Sequence, residues 1–285
     1  MSAAVAPYDR RSPLANILIN ALTVLLALVW AAPFLWMLST AMKTKPEIFT
    51  NPPRWLPDTL NFDNFILAWN AAPFGNYYFN SFIVATITTL FTLLIASMGG
   101  YALARLPFRG RNIMLGGMLA TTVIPFQVLL IPFFILMTTL RLVNTPWGLV
   151  LAYVGIFLPF AVFMFRAYFM DLPREVEESA RLDGCSWFGV YWRIALPMAR
   201  PAIAAVGIYT FVEAWNEFFI ALIMTSNDTV RTLPVGLVMF NESSAGISWG
   251  ELMASSITAT VPAVIVFTIM QRQIIAGLIG GAVKG

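Results

Sequence analysis

Apolar positions run along this chain in long stretches that charged residues barely interrupt. Residues 12–42 carry no charged side chain, and neither do 64–104, 112–140, 142–165 or 252–271. A sixth stretch, 201–227, carries only Glu213 and Glu217. A helix rises 1.5 Å per residue, so about 20 apolar residues cross the ~30 Å hydrocarbon core of a bilayer. Each stretch has room for one crossing. The stretch 64–104 opens on Asn64, Asn70, Pro73, Gly75 and Asn76, which places the start of its helix near Tyr78 and leaves no loop for a second crossing. The expected fold class is all-α, a polytopic membrane protein with six transmembrane helices.

Composition agrees. Of 285 residues, 59% are hydrophobic and only 11% charged, with a mean hydropathy of +0.77, whereas a soluble domain carries about a quarter charged residues. The net charge of +3 is spread over loops and leaves no footprint for nucleic acid. Histidine is absent and Cys185 is the single cysteine, which excludes disulfide frameworks, Cys/His metal sites and histidine acid–base chemistry within the chain. No G-x-x-x-x-G-K-[ST] phosphate loop occurs, so any ATP consumed is bound by another subunit. Arg10-Arg11 ahead of a membrane-length run reads as a basic flank rather than a twin-arginine signal.

Charge also sets sidedness. With the N-terminus inside, the cytoplasmic segments hold twelve basic residues: Arg10, Arg11, Arg105, Arg109, Arg111, Arg166, Arg174, Arg181, Arg193, Arg200, Arg272 and Lys284. Five lie outside: Lys43, Lys45, Arg54, Arg141 and Arg231. The positive-inside rule then puts both termini in the cytoplasm, with Lys43 and Lys45 on the contrary side. Prolines fall in several spans (Pro33, Pro125, Pro132, Pro159, Pro262), and freed carbonyls in lipid need neighbouring helices or water. Gly99-Gly100 would let another backbone approach the second span.

Between the fourth and fifth spans, residues 166–200 carry five arginines and five acids. Pro173 suits a helix start, and the stretch from there to Gly184 is too short to cross a membrane. Glu177 and Arg181 stand at i,i+4, where they favour pairing. Gly184 supplies an elbow. A second short piece places Trp187, Tyr191 and Ile194 on one face until Leu196-Pro197 stops it. These features by themselves suit equally an amphipathic segment lying among headgroups.

The spacing separates the two readings. Glu178-Ser179-Ala180, three residues, Gly184, nine residues, Ile194, one residue, Leu196-Pro197 resembles the EAA loop of ATP-binding-cassette importer permeases, with Ser179 in place of an alanine. Thr232 to Leu237, then Trp249-Gly250 and Leu252 to Ala254, resemble the last external loop of sugar importer permeases. The run 271–285, QRQIIAGLIGGAVKG, resembles the tail of the MalG-like subunit of maltose-type importers. The likeness divides the chain into 1–77 (flank, first helix and external loop) and a permease core, 78–285, holding the EAA loop 171–197 and the tail 271–285.

The resemblance implies one half of a heterodimeric pore, completed by a second permease subunit, in the cytoplasmic membrane of a bacterium or archaeon. Two copies of a cytoplasmic ABC ATPase would sit beneath it, and an extracytoplasmic solute-binding protein would deliver a carbohydrate, either a mono- or oligosaccharide or a related glycerol phosphate. The chain would not be an enzyme and would hold no cofactor; ATP and Mg would bind the partner ATPase. Glu178 would meet a basic residue of that ATPase, with Ser179 and Ala180 allowing close docking, Gly184 forming the elbow, and Ile194, Leu196 and Pro197 closing the motif. Leu233, Pro234, Gly236, Trp249 and Gly250 would face the binding protein, and the tail would reach between the ATPase subunits.

Glu213 and Glu217 stand one turn apart in the fifth span, with Trp215 and Asn216 between them. A charge at mid-membrane costs about 2.5–3.5 kcal/mol on insertion scales, so exposure to lipid is disfavoured. The two glutamates either line the solute pathway or brace the bundle, and Trp215-Asn216-Glu217-Phe218 resembles the family's W-N-[DE]-F. Gln127, two residues after Pro125, is a further pathway candidate or interhelical contact. An ion-coupled carrier using Glu213 and Glu217 is the alternative from another class, and a permease for a non-sugar solute the alternative within this one.

Overall fold

The computed structural model describes residues 13–243 and 249–282, and among these every regular element is helical. In chain order they are α1 (Pro13–Ala41), α2 (Lys45–Ile48), α3 (Asp63–Ala71), α4 (Phe74–Arg105), α5 (Arg111–Val123), α6 (Phe126–Thr139) and α7 (Pro146–Asp171). There follow α8 (Arg174–Leu182), α9 (Trp187–Val190), a π-helical turn (Tyr191–Ala195), α10 (Leu196–Met198), α11 (Arg200–Asn216), α12 (Phe219–Met224), α13 (Leu233–Ser243) and α14 (Trp249–Ala282).

Four of these are long and apolar enough to cross a bilayer unbroken: α1, α4, α7 and α14 over Trp249–Ile269. Two bent pairs, Arg111–Val123 with Phe126–Thr139 at 99° and Trp187–Met198 with Arg200–Asn216 at 76°, raise the number to six only if each pair counts as one span. The expected continuous third helix is thus corrected to two. Pro125 lacks an N–H and forces the residue before it out of the helical region, and Ile124 and Pro125 are both extended, at ψ 117° and 123°. Helix α4 starts at Phe74 rather than near Tyr78, because Pro73 stands at its cap, where no N–H is required.

The described chain packs as two compact units. The first joins the residues up to Ala68 with the opening turns of α14 as far as Thr258; the second runs from Trp69 through α13 and resumes at Ala259. The start of α14 is held by the first unit. A Cβ at Gly250 would come within 2.5 Å of the Asn64 amide, and Lys45 Nζ lies 3.8 Å from Glu251.

In the first unit none of the apolar window of α1 is buried, as suits a helix bathed in lipid. Its end is pinned by Asn64, whose amide donates to the Ala41 and Lys43 carbonyls at 2.9 and 2.8 Å. Lys43 is buried, lies 4.5 Å over the Trp36 ring and donates to the Arg54 carbonyl. A lysine buried and paired in this way counts for little in a charge rule that concerns solvated loops.

In the second unit α4, α7 and α11 form the bundle. Gly100 is where α4 and α7 touch: a Cβ there would sit 2.6 Å from the Phe165 Cβ and 2.9 Å from the Arg166 nitrogen. Gly99 faces Val162 at an ordinary 3.5 Å, so only the second glycine of the pair is required. The buried side chains fall into two layers, one around Tyr77, Tyr153, Phe211 and Trp215, the other around Tyr101, Phe165, Phe169 and Tyr191.

Candidate functional site

Helix α8 ends as its sequence implies. Gly184 takes φ +86°, its N–H donates to the Arg181 carbonyl at 3.1 Å, and the Cys185 N–H reaches back to Ala180 at 3.0 Å. That pair of bonds is a Schellman motif, for which a left-handed glycine is the favoured residue. The second limb opens on Ser186, whose hydroxyl oxygen accepts from the Gly189 N–H at 3.1 Å.

Glu177 does not pair with Arg181. It turns inward, its Oε1 accepting from Arg105 Nε at 2.8 Å and its Oε2 from the Tyr101 hydroxyl at 3.2 Å. Both charged side chains are nearly enclosed, at 6% and 4% exposure, and Arg105 also donates to the Leu172 carbonyl at 2.8 Å. Helix α8 is thereby fastened to the end of α4. Arg181 instead lies 4.5 Å over the Trp187 ring, bracing the two limbs of the elbow. Nothing in the sequence pointed to Arg105 or Tyr101, which stand 72 and 76 residues from Glu177.

The face of α8 about 100° round from Glu177 is open. Glu178 is exposed and has no hydrogen-bond or ion-pair partner among the described residues, and Leu182, one turn on, is 90% exposed. Ser179 is also exposed, and its hydroxyl donates to the Val176 carbonyl at 3.0 Å, so it presents little more than an alanine would. Ala180 is half-buried behind this face and Gly184 exposed.

Leu196-Pro197 does not stop the second limb, contrary to expectation. The backbone widens into a π turn in which the Leu196 N–H donates to the Tyr191 carbonyl five residues back, and the helix ends at Ala199. A widened turn makes room for the proline ring, which would otherwise press on the carbonyl four residues earlier. Tyr191 ties the turn to α4 through a 2.8 Å hydrogen bond with Ser97. Ile194 and Leu196 are half-buried there and Pro197 is exposed.

The two mid-span glutamates separate. Glu217 sits in the break between α11 and α12, where its carboxylate accepts from the Ile220 and Ala221 N–H groups at 2.8 and 3.1 Å and from the Tyr153 hydroxyl at 2.7 Å. It caps α12 and joins it to α7, which satisfies the carboxylate inside the protein. Trp215 donates to the Ala259 carbonyl of α14 at 3.2 Å and so ties two helices, whereas the exposed Asn216 donates to Val212 of its own helix at 2.9 Å.

Glu213 has no such partners among the described residues. It faces a cavity of about 740 Å³ between the α5–α6 elbow, α7 and α11. Gln127 lines the same cavity, and so do the rings of Phe126, Phe160 and Tyr209. Tyr209 stands one turn before Glu213, so helical spacing could have found it; its ring lies 4.8 Å from that of Phe160.

At the other end of the second unit, the segment between α12 and α13 is bound to α4. Tyr77 donates to Asp228 at 2.8 Å, Asn80 to the Thr229 and Arg231 carbonyls at 2.9 and 3.0 Å, and Ser81 accepts from the Leu233 N–H at 2.8 Å. The Tyr77 hydroxyl and the Arg231 guanidinium hold the Asp228 carboxyl below its ordinary pKa. Leu233 and Gly236 are buried, the latter against the Tyr77 ring, and Gly250 is buried in the first unit. Of the residues expected to face a binding protein, Trp249 is exposed and Pro234 half-exposed. Residues 244–248 and the last three of the tail lie outside the described residues, while the tail's backbone continues α14 as far as Ala282.

Residues 93–279 match the family of binding-protein-dependent transport system inner membrane components. The chain is 35% identical over 253 residues to the sulfoquinovosyl glycerol transport system permease SmoH of Agrobacterium fabrum, covering 89% of this chain and 88% of the relative. It is 33% identical over 276 residues to the diacetylchitobiose uptake permease DasC of Streptomyces coelicolor, covering 97% and 100%. Its fold is that of a chain in a solved bacterial ABC transporter for the acidic polysaccharide alginate, with a TM-score of 0.78 at 21% identity over 93% of this chain and 98% of that one.

Proposed function

This chain belongs to the binding-protein-dependent transport inner-membrane components, and on that premise we propose that it forms one transmembrane half of an ATP-driven carbohydrate importer. A second permease subunit completes the pore. An extracytoplasmic binding protein delivers the sugar, and two copies of an ABC ATPase that bind ATP and Mg drive it from the cytoplasm. Both termini lie on the cytoplasmic side, as the distribution of Lys and Arg requires. That carbohydrates are the cargo is supported by the named substrates of the relatives that match nearly the whole chain.

The observation that carries this reading is the asymmetry of α8. One face is fastened to α4 through Glu177 and Arg105, while the adjoining face offers Glu178, unpartnered among the described residues, beside a Leu182 that is 90% exposed. A free carboxylate next to a free apolar side chain on a rigidly held helix is a docking face for a basic, partly apolar cleft. Closure of the ATPase dimer on ATP then moves α8, and α4 moves with it. Alternating access follows from the free energy of ATP binding at the partner. Glu213 and Gln127 line the solute path. Pro234 on the second unit is one contact for the binding protein, and Trp249 on the first unit is another.

The ion-coupled carrier needs two free intramembrane carboxylates, and Glu217 is already engaged as a cap. The test is affinity capture of the tagged chain from its native membrane in mild detergent, with the partners identified by mass spectrometry. The wild type is expected to bring a second permease and an ATPase. Glu178→Lys should keep the permease and lose the ATPase. A chain that isolates alone, or a variant that keeps every partner, contradicts the reading.

A further inference from the structure

The relatives' named cargoes leave the charge class of the sugar open, and the cavity at the α5–α6 elbow bears on it. Glu213 lies 13 residues beyond Arg200 on α11, about 20 Å along the helix and well inside the membrane. Its carboxylate is exposed to the cavity, and among the described residues it has no partner and no Lys or Arg lines the cavity with it. The lining hydroxyls of Thr121 and Thr122 are spent on their own helix, donating to the Met118 and Leu119 carbonyls at 2.6 and 2.7 Å. Glu213, Gln127 and the Tyr209 hydroxyl are therefore the polar groups left to address a solute.

Around them stand flat apolar surfaces, with Tyr209 4.8 Å from Phe160 and Phe126 5.2 Å from Phe133, centroid to centroid. A pyranose offers hydroxyl donors at its edge and C–H groups on its faces, which matches a carboxylate acceptor and an amide set among rings. At about 740 Å³ the cavity falls within the range of small-molecule sites. In this weakly screened setting a second anion beside Glu213 would be repelled with no cation to offset it, while an ammonium would be attracted.

We propose that this cavity is a subsite for neutral or amine-bearing glycans, and that Glu213 excludes carboxylated, sulfonated and phosphorylated ones. The proposal rests on the importer reading above and specifies its cargo. Sugar specificity would then reside partly in the pore and not wholly in the binding protein.

The test uses the transporter captured from its native membrane and set in nanodiscs, with its subunits checked first on a gel. An assembly without a second permease or an ATPase counts against the importer reading itself. With the assembly intact, binding is measured by saturation-transfer NMR for three gluco-configured β-1,4 disaccharides that differ in charge: cellobiose, its amine analogue chitobiose with free amines, and cellobiouronic acid. Wild type should bind the amine and neutral sugars and discriminate against the uronate. Glu213→Gln should weaken the amine by about tenfold and strengthen the uronate to the level of the neutral sugar.

Equal binding of all three by wild type, binding of none, or an order unchanged in Glu213→Gln overturns the proposal. A second readout is maleimide labelling of Gln127→Cys in a Cys185→Ser background. Ready labelling that cellobiose slows supports an open subsite. A cysteine that is unreactive and crosslinks to the partner permease shows that the cavity is a seat for that subunit, and also overturns the proposal.

Discussion

Two pairs of glutamates, Glu177 with Glu178 on α8 and Glu213 with Glu217 in the fifth span, solve opposite problems in the same way. In each pair one carboxylate is spent inside the chain, Glu177 on Arg105 and Tyr101, Glu217 on Tyr153 and the first N–H groups of α12. The other is left without a partner, Glu178 on an outer face and Glu213 on a cavity. The satisfied member holds its element in place, and the unsatisfied one is what that element has to offer. The environments differ in what a free carboxylate costs. Outside the bilayer Glu178 is simply hydrated, whereas Glu213 needs a water-bearing cavity of its own. A free carboxylate at depth is therefore the stronger pointer to a ligand.

The comparison can be broken most directly at Arg105. Arg105→Ala leaves Glu177 enclosed and unpaired, and should cost about 3–5 kcal/mol, read as loss of the monodisperse transporter on heating before size-exclusion chromatography. Glu177→Gln, which removes the charge but keeps the shape, should cost less. Melting of Arg105→Ala within a degree of wild type would mean that α8 is not fastened there.

Glu217→Ala removes a cap and the acceptor for Tyr153 together, and should cost about 2 kcal/mol, with Tyr153→Phe costing about 1 kcal/mol in the same heating assay. The free members should behave differently. Glu178→Ala and Glu213→Gln should each melt within about 0.5 kcal/mol of wild type, while the first uncouples ATP hydrolysis from transport. A large stability loss in either would place it with the structural carboxylates.

The smallest effect concerns pH. The folded pKa of Asp228 is depressed, so its contribution to stability is complete above the ordinary value near 3.8 and is lost as the pH falls below it. Because Asp228 is about half exposed the step is small. Comparison of wild type with Asp228→Asn from pH 5 to pH 3 should show a shallow fall in melting temperature that the variant lacks. A fall of equal size in both assigns the acid sensitivity elsewhere.

Much of this protein follows from local sequence. Charge-free stretches of membrane length specify where helices cross, because hydrocarbon tolerates a backbone only when its polar groups pair internally. The elbow at Gly184 is equally local, since its bonds close within six residues. Tertiary structure alone decided the partners of the charges. Glu177 stands at the right spacing for Arg181, but a neighbour on the same exposed helix face offers little in water, whereas Arg105 supplies a desolvated pair where α8 meets α4. Which of Glu213 and Glu217 would be free depended on where Pro125 bends the third span to open a cavity, and on where the backbone breaks before Phe219. Periodicity records which residues lie near one another along a helix. Only packing brings side chains distant in sequence together, and that determines whether a buried charge is satisfied.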